Sequence, residues 1–222
     1  MNEYSWDFSF LSNHYSMLIY GIAGTLLLSC LVTMFGFTLG ALIGVARTSK
    51  RQFIRIPASC YVEIFRNTPP LVQLLWLFYA LPILTGMQPQ PLVAAAIAFS
   101  IYTSAFMAEV YRGGIQSIER GQWEAGRAIG FTYIQQMRYI ILPQAIKRMI
   151  PAATNQFIET VKLTSLASII AYKELVYYVG YISDLEYRSL ESYTILTLIF
   201  TLILIPLSYV SLAFEKRLRV RD

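Results

Sequence analysis

Charge is scarce in this chain. Of its 222 residues, 14% are Asp, Glu, Lys or Arg, against roughly 25% in an ordinary soluble domain. Hydrophobic residues make up 56% and the mean hydropathy is +0.51. That balance excludes a disordered chain and a typical soluble globule, and implies a chain solvated mainly by lipid. Cysteine is nearly absent. Cys30 and Cys60 each lack a second thiol nearby, which excludes a disulfide-rich module and thiolate metal spacing; both read as reduced structural thiols. The single histidine, His14, cannot by itself make a triad or a metal site. No Gly-x-x-x-x-Gly-Lys-Ser/Thr occurs and no lysine follows a glycine, so no Walker loop cradles phosphates. No nucleophile–base pair or metal cluster is recognisable, so the chain itself is expected to be no enzyme. Residues 1–14 carry Glu3 and Asp7 but no Lys or Arg, and without a positive n-region no signal peptide is expected.

Long uncharged runs are what the chain does have. Tyr15 to Ala46 holds 32 residues without a charge, where roughly 20 suffice to cross the hydrocarbon. The expected span, 16–46, is long and tilted. Asn67 to Ala108 holds 42, too many for one helix. Leu81-Pro82 and Thr85-Gly86-Met87-Gln88-Pro89-Gln90-Pro91 supply turn chemistry inside it, dividing it into spans at 60–82 and 91–112. Thr68-Pro69-Pro70 should break the first of these, freeing carbonyls that can line a cavity. A fourth span, 150–172, is interrupted by Glu159 and Lys162, and a fifth, 192–214, by Pro206 alone. The expected fold is an all-α integral membrane protein of five transmembrane helices in one domain, 1–222.

The formal net charge of +5 lies between the apolar segments rather than on one face, which argues against nucleic acid. Arg47, Lys50, Arg51 and Arg55 follow the first span. Arg112, Arg120, Arg127, Arg138, Lys147 and Arg148 accompany the loop 113–148, and Lys216, Arg217, Arg219 and Arg221 end the chain. Residues 83–90 carry no charge and residues 1–15 no base. By the excess of Lys and Arg in inner loops, the N-terminus is expected outside and the C-terminus and the 113–148 loop in the cytoplasm. Gly36, Gly40 and Gly44, one turn apart, should let another helix approach closely, from this chain or a partner.

The 113–148 loop is too long to be a plain connection. It reads as two short helices, 120–129 and 132–139, joined at Gly130, with apolar Trp123, Ala125, Ala128, Ile129 and Ile134. Such helices suit the lipid headgroups or a groove on a partner. The order of residues favours the partner. Glu124-Ala125-Gly126, then Gly130, Ile140 and Leu142-Pro143 resembles the EAA loop of ATP-binding-cassette importer permeases, in which Glu-Ala-Ala is followed at these intervals by Gly, Ile and Leu-Pro. Gly126 departs from that pattern and lowers helix propensity by up to about 1 kcal/mol. Three further blocks resemble the polar amino-acid permeases (His/Gln/Glu/Arg type) of that family: Tyr61 to Leu74, Ala108 to Gln122, and Phe157 to Leu166. The likeness runs over about 15–215.

The resemblance implies a permease subunit of the bacterial inner membrane, multi-pass, that passes amino acids by alternating access. Its expected partners are a second permease subunit, identical or related, two ATP-binding-cassette ATPase subunits, a periplasmic or surface-tethered substrate-binding protein, and membrane lipid. Mg-ATP would be bound by the partner ATPase, with no cofactor in this chain. Residues 120–135, the coupling helices, would dock on the ATPase through Trp123, Glu124, Ala125, Gly126, Gly130 and Phe131.

Glu159 and Lys162 share a helix face. They read either as an intrahelical ion pair or as part of the translocation path, since intramembrane charges persist where they are paired or face water. A zwitterionic amino acid would be matched by a cation with polar donors, which Lys162, Thr164 and Ser165 supply. Leu163 stands where relatives often carry a polar or acidic residue, which argues against a strongly cationic substrate. Tyr102 and Gln73 are placed on the same path. Glu63, Arg66 and Glu109 read as ion pairs that hold the bundle, or as a gate. The tyrosine-rich segment 173–191, with Asp184 and Glu186, reads as an external surface with an aromatic belt. The rival reading is an autonomous ion- or proton-coupled carrier of small solutes using Glu159 and Lys162. Such carriers often show internal repeats, and no duplicated half is visible here.

Overall fold

The computed structural model describes residues 4–218, and among these there is no strand. Glu3, Arg219 and Arg221 lie outside the described residues, as do the side chains of Lys216 and Arg217. Helix α1 runs from Leu11 to Arg47, 37 residues. At 1.5 Å per residue it is about 55 Å long, well beyond the hydrocarbon thickness. Its buried stripe includes Leu28, Val32, Gly36, Gly40 and Gly44, and that stripe packs on α5, Pro91–Gln116. An added Cβ at Gly36 would stand 3.0 Å from Thr103, at Gly40 2.6 Å from Met107 Cβ, and at Gly44 2.8 Å from Tyr111 Cβ. The helix that the glycines admit therefore belongs to this same chain.

Helix α2, Gln52–Asn67, ends where the two prolines begin. Thr68 is extended (φ −101°, ψ 130°), as a residue before proline must be. The chain then continues through α3, Pro70–Leu75, a π-helical turn at Trp76–Ala80 and α4, Leu81–Thr85. The two halves meet at 103°. Gln73 Nε2 donates to the carbonyls of Phe65 (2.9 Å) and Thr68 (3.0 Å), so an amide side chain satisfies two carbonyls at the break, and Phe65 and Thr68 line a cavity there.

After α5 come α6, Arg120–Ala128, α7, Tyr133–Gln136, and a π-helical turn, Met137–Ile141. Helix α8, Leu142–Leu163, tightens into a 3₁₀ helix, Thr164–Ile170. Helices α9, Leu175–Glu186, and α10, Ser189–Leu218, complete the fold. Leu28, Leu74, Phe99 and Ala167, all fully buried, join α1, α3, α5 and the 3₁₀ helix in one core. Three of these helices are long and apolar enough to cross a membrane: Leu11–Arg47, Pro91–Gln116 and Ser189–Ala213. The bent pair over 52–85 makes a fourth. The segment expected to span at 150–172 is not in that set. Its helix starts at Leu142 and carries Lys147, Arg148, Glu159 and Lys162.

The segment 173–191 is less open than its tyrosines suggest. Tyr172 donates to the carbonyl of Gly24 (2.9 Å). A Cβ at Gly24 would lie 2.5 Å from the Lys173 carbonyl oxygen, so glycine is what lets this turn seat on α1. Glu174 is fully buried and caps α9 by accepting from the Tyr177 N–H (2.9 Å). Burial pushes its carboxyl up from an ordinary 4.5 to about 7, against the pull of the α9 N–H groups and Thr25. The native state therefore binds the proton more tightly than the unfolded chain. Stability from this site is fullest below about pH 4.5 and declines as pH rises toward 7. Glu174→Gln keeps an oxygen for the cap without the charge. It should raise the melting temperature in detergent at pH 8, by up to about 3 kcal/mol of stability, and leave it unchanged at pH 4.5. A constant difference across pH would show that Glu174 is not titrating there. On the same side, His14 pairs with Glu186 (2.6 Å). Arg188 donates to the Ser5 carbonyl (2.9 Å) and to Glu191 (3.1 Å), tying the N-terminal segment to the start of α10.

Candidate functional site

The polar loop is a built object. Helix α6 ends in a Schellman turn. Phe131 N–H donates to the Gly126 carbonyl (3.0 Å) and Gly130 N–H to that of Arg127 (3.0 Å). Gly130 takes the left-handed conformation (φ 80°) that this turn needs. Thr132 then opens α7 with a capping box closed by Gln135. Trp123 stacks on Tyr133 (centroids 6.0 Å apart, 19° between planes). Beneath them Ile115, Ile118, Ile141, Ala145 and Met149 form a core, with Trp123 and Ile140 packed against it. The loop is thus anchored to the end of α5 and the start of α8.

Gly126, the departure from the family pattern, is buried. A Cβ there would meet Gln136 Cγ at 2.9 Å and Ile140 Cδ1 at 3.0 Å. Gln136 is 4% exposed and donates to the Phe131 carbonyl (3.0 Å), so the lost helix propensity is exchanged for close packing. Of the expected coupling residues, Trp123 and Gly126 face inward and Phe131 is half-buried. Glu124, Ala125 and Gly130 are exposed. Beside them Ile129 and Ile134 are 65% and 76% exposed. Neither isoleucine is among those expected residues, although both belong to the apolar set of the loop.

A second site lies between α5 and α8. Tyr102 and Phe106 from one side and Gln156, Glu159, Lys162 and Leu163 from the other line a cavity of about 400 Å³, with Ser165 and Leu166 at its edge. Lys162 Nζ stands 2.7 Å from Glu159 Oε1, and the two side chains are 49% and 62% exposed. A pair so open contributes at most about 1 kcal/mol, so it is poor structural glue and is available to a solute. Two expected path residues lie elsewhere. Thr164, two positions past Lys162, turns to the far side of the helix, fully buried, and its hydroxyl donates to the Val161 carbonyl (2.7 Å). Gln73 lines a different, largely apolar cavity of about 310 Å³ with Trp76 and Ile101. Gln156 was legible as the residue three before Glu159, and Phe106 as the residue four after Tyr102.

Between the two sites, Glu109 on α5 gathers three arginines from three helices. It binds Arg47 of α1, Arg112 Nε (3.0 Å) of its own helix, and Arg66 of α2 (3.5 Å). Arg66 also lies 5.2 Å over the Phe106 ring. Glu63 takes no part; its carboxylate accepts from Asn67 (3.3 Å). The expected ion pairing exists, with Arg47 in place of Glu63.

A helical membrane bundle with a polar-lined cavity and a folded helix–turn–helix at the end of α5 fits a transport permease. The chain belongs to the family described as binding-protein-dependent transport system inner membrane component, which matches residues 36–220. It is 38% identical over 210 residues to the probable glutamine ABC transporter permease protein GlnM of Bacillus subtilis (strain 168), covering 95% of this chain and 97% of that protein. It is 33% identical to the glutamine transport system permease protein GlnP of Escherichia coli (strain K12), over 97% and 99% of the two chains. A chain of a solved amino acid ABC transporter crystallised with histidines superposes with a TM-score of 0.91 at 34% identity, over 96% of this chain and 100% of that one. A chain of the methionine transporter MetNI in an inward-facing conformation, at 23% identity and a TM-score of 0.79 over 94% and 99%, shares the fold. The protein is thus a multi-pass inner-membrane permease subunit of an ATP-driven importer. In such systems separate ATPase subunits hydrolyse the ATP and a substrate-binding protein delivers the solute. An autonomous carrier is not favoured.

Proposed function

We propose that this permease carries a small polar amino acid of the glutamine or histidine class. The observation that carries this reading is the cavity between α5 and α8. There Tyr102, Gln156, Glu159, Lys162, Leu163 and Ser165 meet. An exposed cation and an exposed anion 2.7 Å apart match the carboxylate and ammonium of a zwitterion. Gln156 and Tyr102 offer neutral hydrogen-bonding groups to a polar side chain, and Leu163 leaves no second carboxylate for a cationic one. The relatives with glutamine in their names support the same class.

The loop 120–135 is the coupling element in this reading, with Glu124, Ala125, Gly130, Ile129 and Ile134 presented to the ATPase and Trp123, Gly126 and Phe131 setting the turn's shape. The domain spans the whole chain, with five crossings, the N-terminus outside and the loop in the cytoplasm. The segment α8 with its 3₁₀ extension supplies the remaining crossing, the fourth in chain order. It is polar because it lines the path rather than lipid. Two permease subunits, the same chain twice or a close relative, pair with two ATPases that hold Mg-ATP. ATP binding closes the ATPases, the loops move, and the equilibrium shifts toward the outward-open state.

The test is ATP hydrolysis by the reconstituted complex, supplied with its binding protein and a panel of amino acids. One neutral polar amino acid should stimulate hydrolysis several-fold. Lys162→Gln should abolish that stimulation with the complex intact. Glu124→Lys should instead weaken retention of the ATPase on purification. Full stimulation in the Lys162 variant would remove this cavity from the path.

A further inference from the structure

A large concave feature lies behind the coupling loop, where α6 faces the connection between α1 and α2. Its volume is about 690 Å³, and Arg47, Lys50, Arg55 and Arg127 all line it, with Trp123 and Tyr133 as its aromatic floor. No carboxylate of the described residues lines it. Among the described residues Lys50, Arg55 and Arg127 have no ion-pair partner. Arg47 Nε is buried without a hydrogen-bond partner, although its guanidinium already meets Glu109. Lys50, Arg55 and Arg127 are exposed, and with Arg47 they border one cavity, so together they present a concentrated positive field to an anion that enters it. The exposed coupling residues Glu124, Ile129 and Ile134 do not line this cavity, whereas Trp123 and Phe131, which set the turn's shape, do.

We infer that this cavity binds a phosphate-bearing anion, and that the phosphodiester of an anionic phospholipid headgroup of the inner leaflet is its natural source. The placement at the cytoplasmic membrane edge rests on the orientation proposed above. Arg47, Lys50 and Arg55 belong to the end of α1 and its connection, whereas Arg127 belongs to the coupling helix. A headgroup shared by both would tether the moving loop to the fixed end of the bundle, so transport should depend on the lipid. A basic cluster recognises such headgroups through charge and paired N–H donors.

The test uses the complete purified transporter and native mass spectrometry, with phosphatidylglycerol and phosphatidylcholine as competing probes. Wild type should retain phosphatidylglycerol preferentially. A Lys50→Gln/Arg55→Gln double variant should reduce that retention about tenfold or more. An Arg138→Gln/Lys147→Gln variant of the same net charge, outside the cavity, should leave it unchanged. Displacement of the lipid by millimolar inorganic phosphate would support the phosphate site and name the free ion as a competing source. Equal retention of both lipids, or equal losses in the two variants, would overturn the inference. So would unchanged lipid retention with release of the ATPase from the Lys50/Arg55 variant, which would show that the cavity holds an acidic protein segment. Amino-acid stimulation of ATP hydrolysis by the wild-type complex is measured in parallel; its failure counts against the transport reading alone, because lipid retention is scored without turnover.

Discussion

Gly40→Ala should destabilise the bundle by about 1–3 kcal/mol, the usual cost of forcing a methyl group into a packed interface. Gly40→Val should yield little folded protein. The reason is where the new carbon would sit, 2.6 Å from Met107 Cβ and 2.9 Å from the Ser104 carbonyl oxygen. Neither atom belongs to the mobile end of a side chain, so a rotamer change relieves nothing and α1 must move away from α5. Gly36 and Gly44 also press on that helix, at 3.0 and 2.8 Å, so the separation would spread along the seam. Intrinsic helix propensity pulls the other way, since alanine is favoured over glycine by about 1 kcal/mol inside a helix. Gly113 isolates that term: it lies in the same α5, exposed, with nothing within 4 Å of an added Cβ. Gly113→Ala should therefore raise the melting temperature in detergent while Gly40→Ala lowers it. Equal shifts in the two variants would mean that the seam is not tightly packed in solution.

Removing the carboxylate at position 109 should cost about as much or more. Glu109→Gln leaves three guanidinium groups around a neutral amide. Losing one partner of a buried ion pair costs about 3–5 kcal/mol. The side chains here keep between 10% and 37% of their exposure, so the lower end, about 3 kcal/mol, is expected. The loss should shrink at high salt, which screens the exposed members best. A second substitution, Arg66→Gln, should restore part of it by removing one repelling charge. That recovery, measured as a double-mutant cycle in thermal unfolding, separates charge imbalance from lost packing. Additive losses would show that Arg66 contributes nothing to the cluster. Because the knot joins α1, α2 and α5 beside Phe106 of the transport cavity, the variant should also uncouple hydrolysis from solute.

Several features follow from local sequence and needed no tertiary information. Apolar runs such as 15–46 become helices because lipid leaves backbone groups no other partners. The break at Thr68-Pro69-Pro70 follows from proline's missing N–H and the extended conformation it imposes on its neighbour. The loop's two helices, and the turn between them at Gly130, follow from helix formers punctuated by one residue able to adopt positive φ. Glu159 and Lys162 on a common face follow from helical spacing alone.

Tertiary structure decided which neighbour each of these features met. Glycines at 36, 40 and 44 announce a close approach, but only the packed bundle shows that α5 of the same chain makes it. Polarity alone places Gln73 and Thr164 on the path. Gln73 instead satisfies the carbonyls at a helix break whose 103° angle no local pattern encodes. Thr164 lies on the buried side of its helix, where the α-helix tightens to 3₁₀. Glu63 and Glu109 look alike as acids near helix ends. Three arginines choose Glu109, because α1, α2 and α5 converge beside it and leave Glu63 at the surface. Spacing along one helix is a local property written in the chain. Which groups meet across helices depends on how several buried faces pack at once, and that is set only when the whole bundle closes.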